Sequence, residues 1–506
     1  TSEKITLTES GVNTGIFKAN VFFNSTSAVV NNDGILQVNR GDKLVATYLD
    51  PADDFGNTTV FSANSFYGMT TVASGVLSAN TTWTKANSPY FLTGDITVPD
   101  AVTLTIDPGV VVRFKAITDD LSSGEDGNRI EIRVSGILKA NGTATDSIFF
   151  MSNGQVPAAG DWYGLVSYNE NGGSNQVGTI DISYTRLSHY VTGVRLQGSG
   201  SYPPTDSIKV YNSVFYAGGS LISCNNGYYT SVEICNNTAY NGSGISLNNH
   251  YGPYKKVENN LFKTNTSTTI INLRAYSFGQ SGETPVTLSV KNNVFDFGSI
   301  NVDVNSNRHS TNYRKAKVEI KNNLLTHKPN SVSNGYSRIE VYVDNNSNPM
   351  DSMDLVIEGN TIKAPNYNTN LISINTQGSP ALWVIKSNNI SGGYRGIYLS
   401  SSLNSKVKVE NNTIDSCRYA GIYKSNNFSS TIKGNTITYC GRYTGSNDVG
   451  IYLNSSFDYP SLDTLLNNTI TNNGAWQYNN TYPTSYASGG VSINGYSQVV
   501  MNYNNI

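Results

Sequence analysis

The chain has 506 residues, a formal net charge of −2 and only 14% charged residues. That balance excludes a nucleic-acid binder, which needs a basic stripe to neutralise phosphates. Tyr (33) and Gly (46) are abundant, Met is scarce (5) and doubled Asn recurs throughout, a composition of strands and turns.

No apolar run approaches the ~20 residues that span a bilayer, so no membrane span is expected. No signal peptide precedes "TSEK", which reads as a mature or trimmed start. Sequons such as those at Asn24, Asn57, Asn80, Asn141 and Asn454 permit glycosylation outside the cell.

Residues 1–72 alternate apolar and polar in "KITLTESGVNTGIFKANVFF" and "GDKLVATYLDPADDFGNTTVF", with turn residues between. That pattern predicts antiparallel strands in a small Ig-like β-sandwich. The phrases "LTESGVNTGIF" and "VNRGDKLVATYLDP" resemble modules of prokaryotic secreted and cell-surface proteins. There such modules act as spacers, and the resemblance implies no catalysis. Two acidic loops offer clustered oxygen ligands of the kind Ca²⁺ takes. One carries Asp50, Asp53, Asp54 and Asn57, the other Asp119, Asp120, Glu125, Asp126 and Asn128. Neither follows EF-hand spacing.

From residue 73 onward a repeat takes over. A template of apolar, any, any, Asn, any, apolar places Asn at 237, 260, 293, 323, 360, 388, 412, 435, 468 and 504. These are Asn237, Asn260, Asn293, Asn323, Asn360, Asn388, Asn412, Asn435, Asn468 and Asn504. "VYNSVF" at Val210 and "ISYTRL" at Ile182 are degenerate earlier copies. Successive spacings run from 23 to 37 residues, a fixed minimal unit with variable insertions. That is how a solenoid coil writes itself. Each Asn phrase is followed by an alternating strand phrase such as "GIYL" at Gly396 and Gly450 or "GIYK" at Gly421. Parallel coils stacked at ~4.8 Å put like residues above like, so the Asn side chains form a buried hydrogen-bonded ladder.

The "GNTI…GIYL" phrases resemble the right-handed parallel β-helix family, the pectate-lyase-like superfamily. Upstream, "TVPDAVTLTIDPGVVVRF" (97–114), "VSGILKANGTATDSIFF" (134–150) and "GDWYGL" (160–165) resemble the first coils of such proteins. The resemblance covers residues 76–506 and implies an all-β fold: a parallel β-helix over 73–506 after the sandwich over 1–72. It says little of function, because this fold carries lyases, hydrolases, adhesins and structural rods.

Lyases of that kind use acidic calcium ligands with a Lys or Arg base, and the hydrolases use clustered Asp. Asp415, Asp448 and Asp458 are not in phase, the chain has only four His, and "GIYL" carries no carboxylate. Tyr398, Tyr423 and Tyr452 do recur in phase, with Arg395, Arg418 and Arg442 in the preceding loops. Outward aromatic rings beside guanidinium groups suit a glycan, the rings covering sugar faces. Stacking of Tyr on Tyr for the sake of the strands is the simpler use. Cys417 and Cys440 fall at equal phase on adjacent coils, a spacing compatible with a disulfide in an oxidising compartment. Cys224 and Cys235 form a second candidate pair across a turn.

The final "VVMNYNNI" stops inside a template phrase, so the expectation is a trimmed chain or an end covered by another copy. The leading expectation is a secreted or cell-surface, non-enzymatic structural or adhesive protein, with copies of itself joining head to tail into a filament. The alternatives are a polysaccharide-acting enzyme, a lyase before a hydrolase, and a carbohydrate-binding rod. Ca²⁺ is the one cofactor considered, and extracellular polysaccharide the other partner.

Overall fold

The computed structural model describes residues 2–506 except 13, 15, 26–27, 51–56, 73, 170–177, 198–206, 225–230, 242–243, 249–253, 264–268, 277–285, 306–314, 327–336, 345–351, 365–367, 377–380, 402–405, 427, 442–448, 456–460, 475–488 and 496. Among the described residues, three parallel sheets of 15 strands each make up 15 coils of a solenoid. Every coil contributes one strand to each sheet, in the order I, II, III. Coil 1 is Thr70–Val72, Gly75–Val76 and Thr81–Trp83, and coil 15 is Thr469–Thr471, Val491–Gly495 and Gln498–Asn502. At ~4.8 Å per coil the stack is about 70 Å long. Thr70–Val72, which falls at the end of the expected N-terminal module, already pairs with Tyr90–Leu92 of coil 2.

The core follows from alternation. Inward positions hold branched apolar residues that meet their own kind on the next coil. Ile357, Ile385, Val409, Ile432 and Leu465 stand in register on sheet III, all fully buried. Ile362, Ile390, Ile414, Ile437 and Ile470 do the same on sheet I. β-branched residues fit the pleat, and stacking identical shapes leaves few voids.

From Tyr211 onward the corner from sheet III to sheet I is a two-residue turn. Its first residue has positive φ, as at Asn259 (58°), Asn292 (55°), Asn322 (55°) and Asn411 (54°), a region that Asn tolerates better than most residues. The second residue is the template Asn. Asn388 is typical: its Nδ2 donates to Ile357 O (2.9 Å) and to Asn412 Oδ1 (2.9 Å). Its own Oδ1 accepts from the Asn360 backbone N–H (2.9 Å) and the Asn360 Nδ2 (3.0 Å). The ladder runs through all ten template positions, down to Asn468 Nδ2 on Asn504 Oδ1 (2.9 Å). Upstream the two degenerate copies substitute hydroxyls. Ser213 donates its backbone N–H to Asn237 Oδ1 (2.9 Å), and Thr185 donates its own to Ser213 Oγ (3.1 Å). Each rung satisfies turn backbone groups that water cannot reach.

The lumen also holds a charge pair. Lys424 Nζ lies 2.9 Å from Asp463 Oδ2, both side chains 0% exposed. Asp463 further accepts from Ser430 N (2.9 Å), Ser430 Oγ (2.7 Å) and Ser461 Oγ (3.0 Å), so the buried carboxylate is fully bonded. Burial pushes the Lys424 ammonium below its ordinary value.

Among the described N-terminal residues the strands form three two-stranded pairs. Thr8–Glu9 with Phe17–Lys18 and Lys43–Asp50 with Thr59–Phe66 are antiparallel, and Phe22–Asn24 with Ile35–Gln37 is parallel. Val38 is the one buried residue among those described before residue 73. A stretch this short has too little apolar surface to enclose a core of its own. It leans on the first coils instead: Arg40 Nε donates to Ser88 O (2.6 Å), and the Arg113 guanidinium lies 3.7 Å over the Phe66 ring.

Two substitutions test this account. Asn388→Ala orphans the Asn360 N–H and Ile357 O and lowers stability by about 3 kcal/mol in urea titration, with a smaller loss for Asn504→Ala at the ladder's end. Lys424→Met leaves Asp463 buried and unpaired and costs about 3–5 kcal/mol. Adding Asp463→Leu recovers most of that loss, which a double-mutant cycle reads directly.

Candidate functional site

The outer surfaces of the sheets differ in chemistry. Sheet III carries an ion-pair lattice that links neighbouring coils. Glu319 meets Lys291 (2.8 Å) and Lys321 (3.0 Å), and Glu358 meets Lys321 (3.5 Å) and Lys386 (3.0 Å). Burial alone would raise the Glu319 carboxyl, but its two lysines outweigh that and pull it down to about 2. This face neutralises itself. Sheet II has the longer strands, up to eight residues in Thr269–Tyr276 and Gly298–Asn305, and its outward rows change character along the axis.

A 190 Å³ cavity opens on sheet II over coils 7–10, lined by Asn248, Asn272, Asn301, Asp303, Glu340 and Tyr342. Register builds it: Asn272, Asn301 and Glu340 form one outward row, and Arg274, Asp303 and Tyr342 the next. Asn301 Nδ2 donates to Asn272 Oδ1 (2.8 Å), while Asn301 Oδ1 is buried without a hydrogen-bond partner. Asp303 is ion-paired with Arg274 (2.6 Å) and Glu340 with Arg338 (2.6 Å). Amides, carboxylates and a phenol at coil spacing give paired donors and acceptors, the complement of saccharide hydroxyls. None of these residues was singled out from the sequence. The signal was available in "INLRAY", "INVDVN" and "IEVYVD", aligned on inward Ile271, Ile300 and Ile339. Insertions between them hide that alignment.

Farther along the same face stand the tyrosines. Tyr398, Tyr423 and Tyr452 share one outward row, with ring centroids 5.6 Å and 4.6 Å apart and interplanar angles of 27° and 10°. A second stack joins Tyr394 and Tyr419 at 5.0 Å. Arg395 lies among four of the rings, 4.2 Å from the Tyr423 centroid and 4.7 Å from that of Tyr394. The geometry changes the expected role. A sugar sandwiched between two rings needs about 7–8 Å, twice the carbon contact distance. Inside the column the ring faces are therefore taken by each other, and Tyr452 is only 4% exposed. The column offers edges and hydroxyls, and its first effect is to hold coils 12–14 in register. Arg418 Nη1 reaches Asn368 Oδ1 (3.3 Å), and Arg442 lies outside the described residues.

At the opposite end, coils 2–5 gather Asp95, Glu131, Arg133 and Arg195 on the outward face of sheet II, beneath the 117–129 segment. The second acidic loop is used up here. Asp119 accepts from Asp95 N (3.0 Å) and Ser123 N (2.8 Å), Asp126 pairs with Arg129 (2.7 Å) and Asp120 with Lys115 (3.4 Å). Among the described residues no three His, Cys, Asp or Glu side chains come together as a metal site. For the first loop, Asp53 and Asp54 and the side chain of Asp50 lie outside the described residues, and Asn57 is exposed.

All four cysteines are buried free thiols. Cys417 and Cys440 are neighbours on adjacent coils, flanked by the bonds Ser416 N to Thr438 O (3.0 Å) and Gly441 N to Cys417 O (3.0 Å). Cys235 stands in the outward row of sheet III between Tyr211 and Glu258, whereas Cys224 ends a strand of sheet II in the apolar core. The sheet wall separates this second pair, so the expected bond across the turn is not made.

A family model described as "Pectate-lyase like beta helix domain" matches residues 75–186. One described as "Right handed beta helix region" matches residues 341–506. The chain is a right-handed parallel β-helix. No curated protein matches it. Among solved structures, an alginate lyase from Paenibacillus sp. str. FPU-7 is 11% identical over 80% of this chain and 99% of that one, with a TM-score of 0.13. A TM-score that low carries no argument. Within the β-helix, the tyrosine column yields a stability prediction. Tyr423→Ala removes two ring stacks and lowers stability by about 1–3 kcal/mol beyond the loss of burial, read against Tyr423→Leu by chemical denaturation.

Proposed function

We propose that this β-helix binds a polysaccharide along the outward face of sheet II, with one saccharide unit seated in the cavity over coils 7–10. The observation that carries the reading is that cavity, with its row of Asn272, Asn301 and Glu340 and the unpartnered Asn301 Oδ1. The amides and carboxylates of these rows would pair with saccharide hydroxyls. The face runs the length of the solenoid, which suits an extended polymer. The sequons favour a secreted or cell-surface rod, where adhesion to a glycan matrix is the simplest use.

Cleavage is the second reading, because Asp303, Glu340 and Tyr342 share the cavity. Glycoside hydrolysis needs one carboxyl that gives a proton, and here both carboxyls face arginines. Tyr342 supplies a hydroxyl proton donor beside a carboxylate, an arrangement that favours elimination over hydrolysis.

A glycan array on the full chain, followed by calorimetry, tests binding. Asn301→Ala and Glu340→Gln each weaken the best ligand about tenfold, the loss of one good hydrogen bond, while both variants stay folded by circular dichroism. An array with no ligand, or variants that bind as tightly as the parent, would overturn the reading. New unsaturated ends that disappear in Tyr342→Phe would establish the second.

A further inference from the structure

The carboxyl pair at the first coils is independent of the saccharide cavity. Asp95 and Glu131 precede Ile96 and Ile132, which pair in register, so the two acids stack on adjacent coils at ~4.8 Å. Both are 0% exposed. The Glu131 backbone N–H donates to Asp95 Oδ1 (2.8 Å). The 117–129 segment closes over them from outside. Ser123 Oγ donates to Asp95 Oδ2 (2.7 Å), and the Glu125 N–H donates to Glu131 Oε1 (2.6 Å). Gly124 rests on the Glu131 carboxyl so closely that a Cβ there would lie 1.5 Å from Oε1.

The other oxygen, Glu131 Oε2, is buried with no hydrogen-bond partner. A charge on that atom has neither water nor a donor, whereas a proton on it removes the charge. The surrounding charges do not compensate fully. Arg133 Nε is 3.5 Å from Glu131 Oε1, and Arg195 Nη2 is 3.7 Å from Glu125 Oε2. Asp119 and Glu125 on the segment add negative charge, and the Tyr163 hydroxyl stands 3.4 Å from Glu125 Oε2. Two stacked acids under a lid resist ionising together.

We propose that the 117–129 segment is a lid held down by protons shared over Asp95 and Glu131, closed in mildly acidic solution and released as pH rises. Burial, with the Asp119 carboxyl, raises Asp95 to about 6, and burial, with the Asp95 carboxyl, raises Glu131 to about 8. Both values lie above the ordinary carboxyl range, so the closed lid binds more protons than the open one. Closure is therefore complete below the ordinary range and is lost as pH rises through about 6 and then about 8. Opening would bare Arg133 and Arg195, which share the outward row that leads to the coil 7–10 cavity.

Hydrogen-exchange mass spectrometry on the full chain at pH 5 and pH 9, normalised to intrinsic rates, reads the lid. Protection of peptides within 117–129 falls by at least about tenfold, the equivalent of one pKa unit, while peptides spanning the Asn ladder keep theirs. Glu131→Gln removes the loss of protection near about 8 and Asp95→Asn the loss near about 6, and the double variant keeps the lid protected at pH 9. Protection that does not change with pH, or an equal loss in the parent and in a folded neutral variant, would overturn the proposal.

Discussion

The in-register stacking of one coil on the next is the constraint on which everything else depends. From Asn237 onward each coil closes through a two-residue corner whose backbone groups are buried, and a single Asn side chain satisfies them by bonding to both neighbouring coils. The ladder ties coil to coil at a fixed phase, and that phase then fixes every other side chain. Apolar residues meet apolar residues in the lumen, opposite charges meet on sheet III, and tyrosines meet tyrosines on sheet II. A one-residue slip at a corner would turn all of these rows inside out.

The same constraint explains how a repetitive protein acquires a site. Stacking makes a surface of rows, and a row is uniform unless the sequence changes it. On sheet II it does change. Acids and arginines occupy the first coils, amides and carboxylates the middle, and aromatic rings the last. The middle section leaves a cavity, whereas the rings fill the space above their coils and the 117–129 segment covers the acids. The candidate site lies where the outward rows change residue type, on strands that pair in unbroken register.

Regularity is also what made the sequence legible. Asn412 and Asn435, 23 residues apart with no insertion, reveal the coil and its ladder at sight. Ser213 and Thr185 were visible as imperfect copies, and their hydroxyls take the Asn role. The tyrosine row was visible for the same reason, but its chemistry was not. Phase says that rings stack, and only the 4.6 Å separation says that no sugar fits between them. The site residues lay hidden for the opposite reason. Arg274 and Asp303 are 29 residues apart, Asp95 and Glu131 are 36 apart, and inserted loops erase the phase between them. The N-terminal strands were legible as alternation, yet their packing was not, because alternation does not reveal whether enough apolar surface exists to close a core.

The central claim is that the outward face of sheet II over coils 7–10 is where this β-helix meets its ligand. A crystal structure of the full chain soaked with an oligosaccharide of the best-binding polysaccharide tests it most directly. The account predicts a sugar ring in the cavity, with its hydroxyls bonded to Asn272, Glu340 and Tyr342. Sugar density on sheet I or sheet III, or an empty cavity at a saturating ligand concentration, would contradict it.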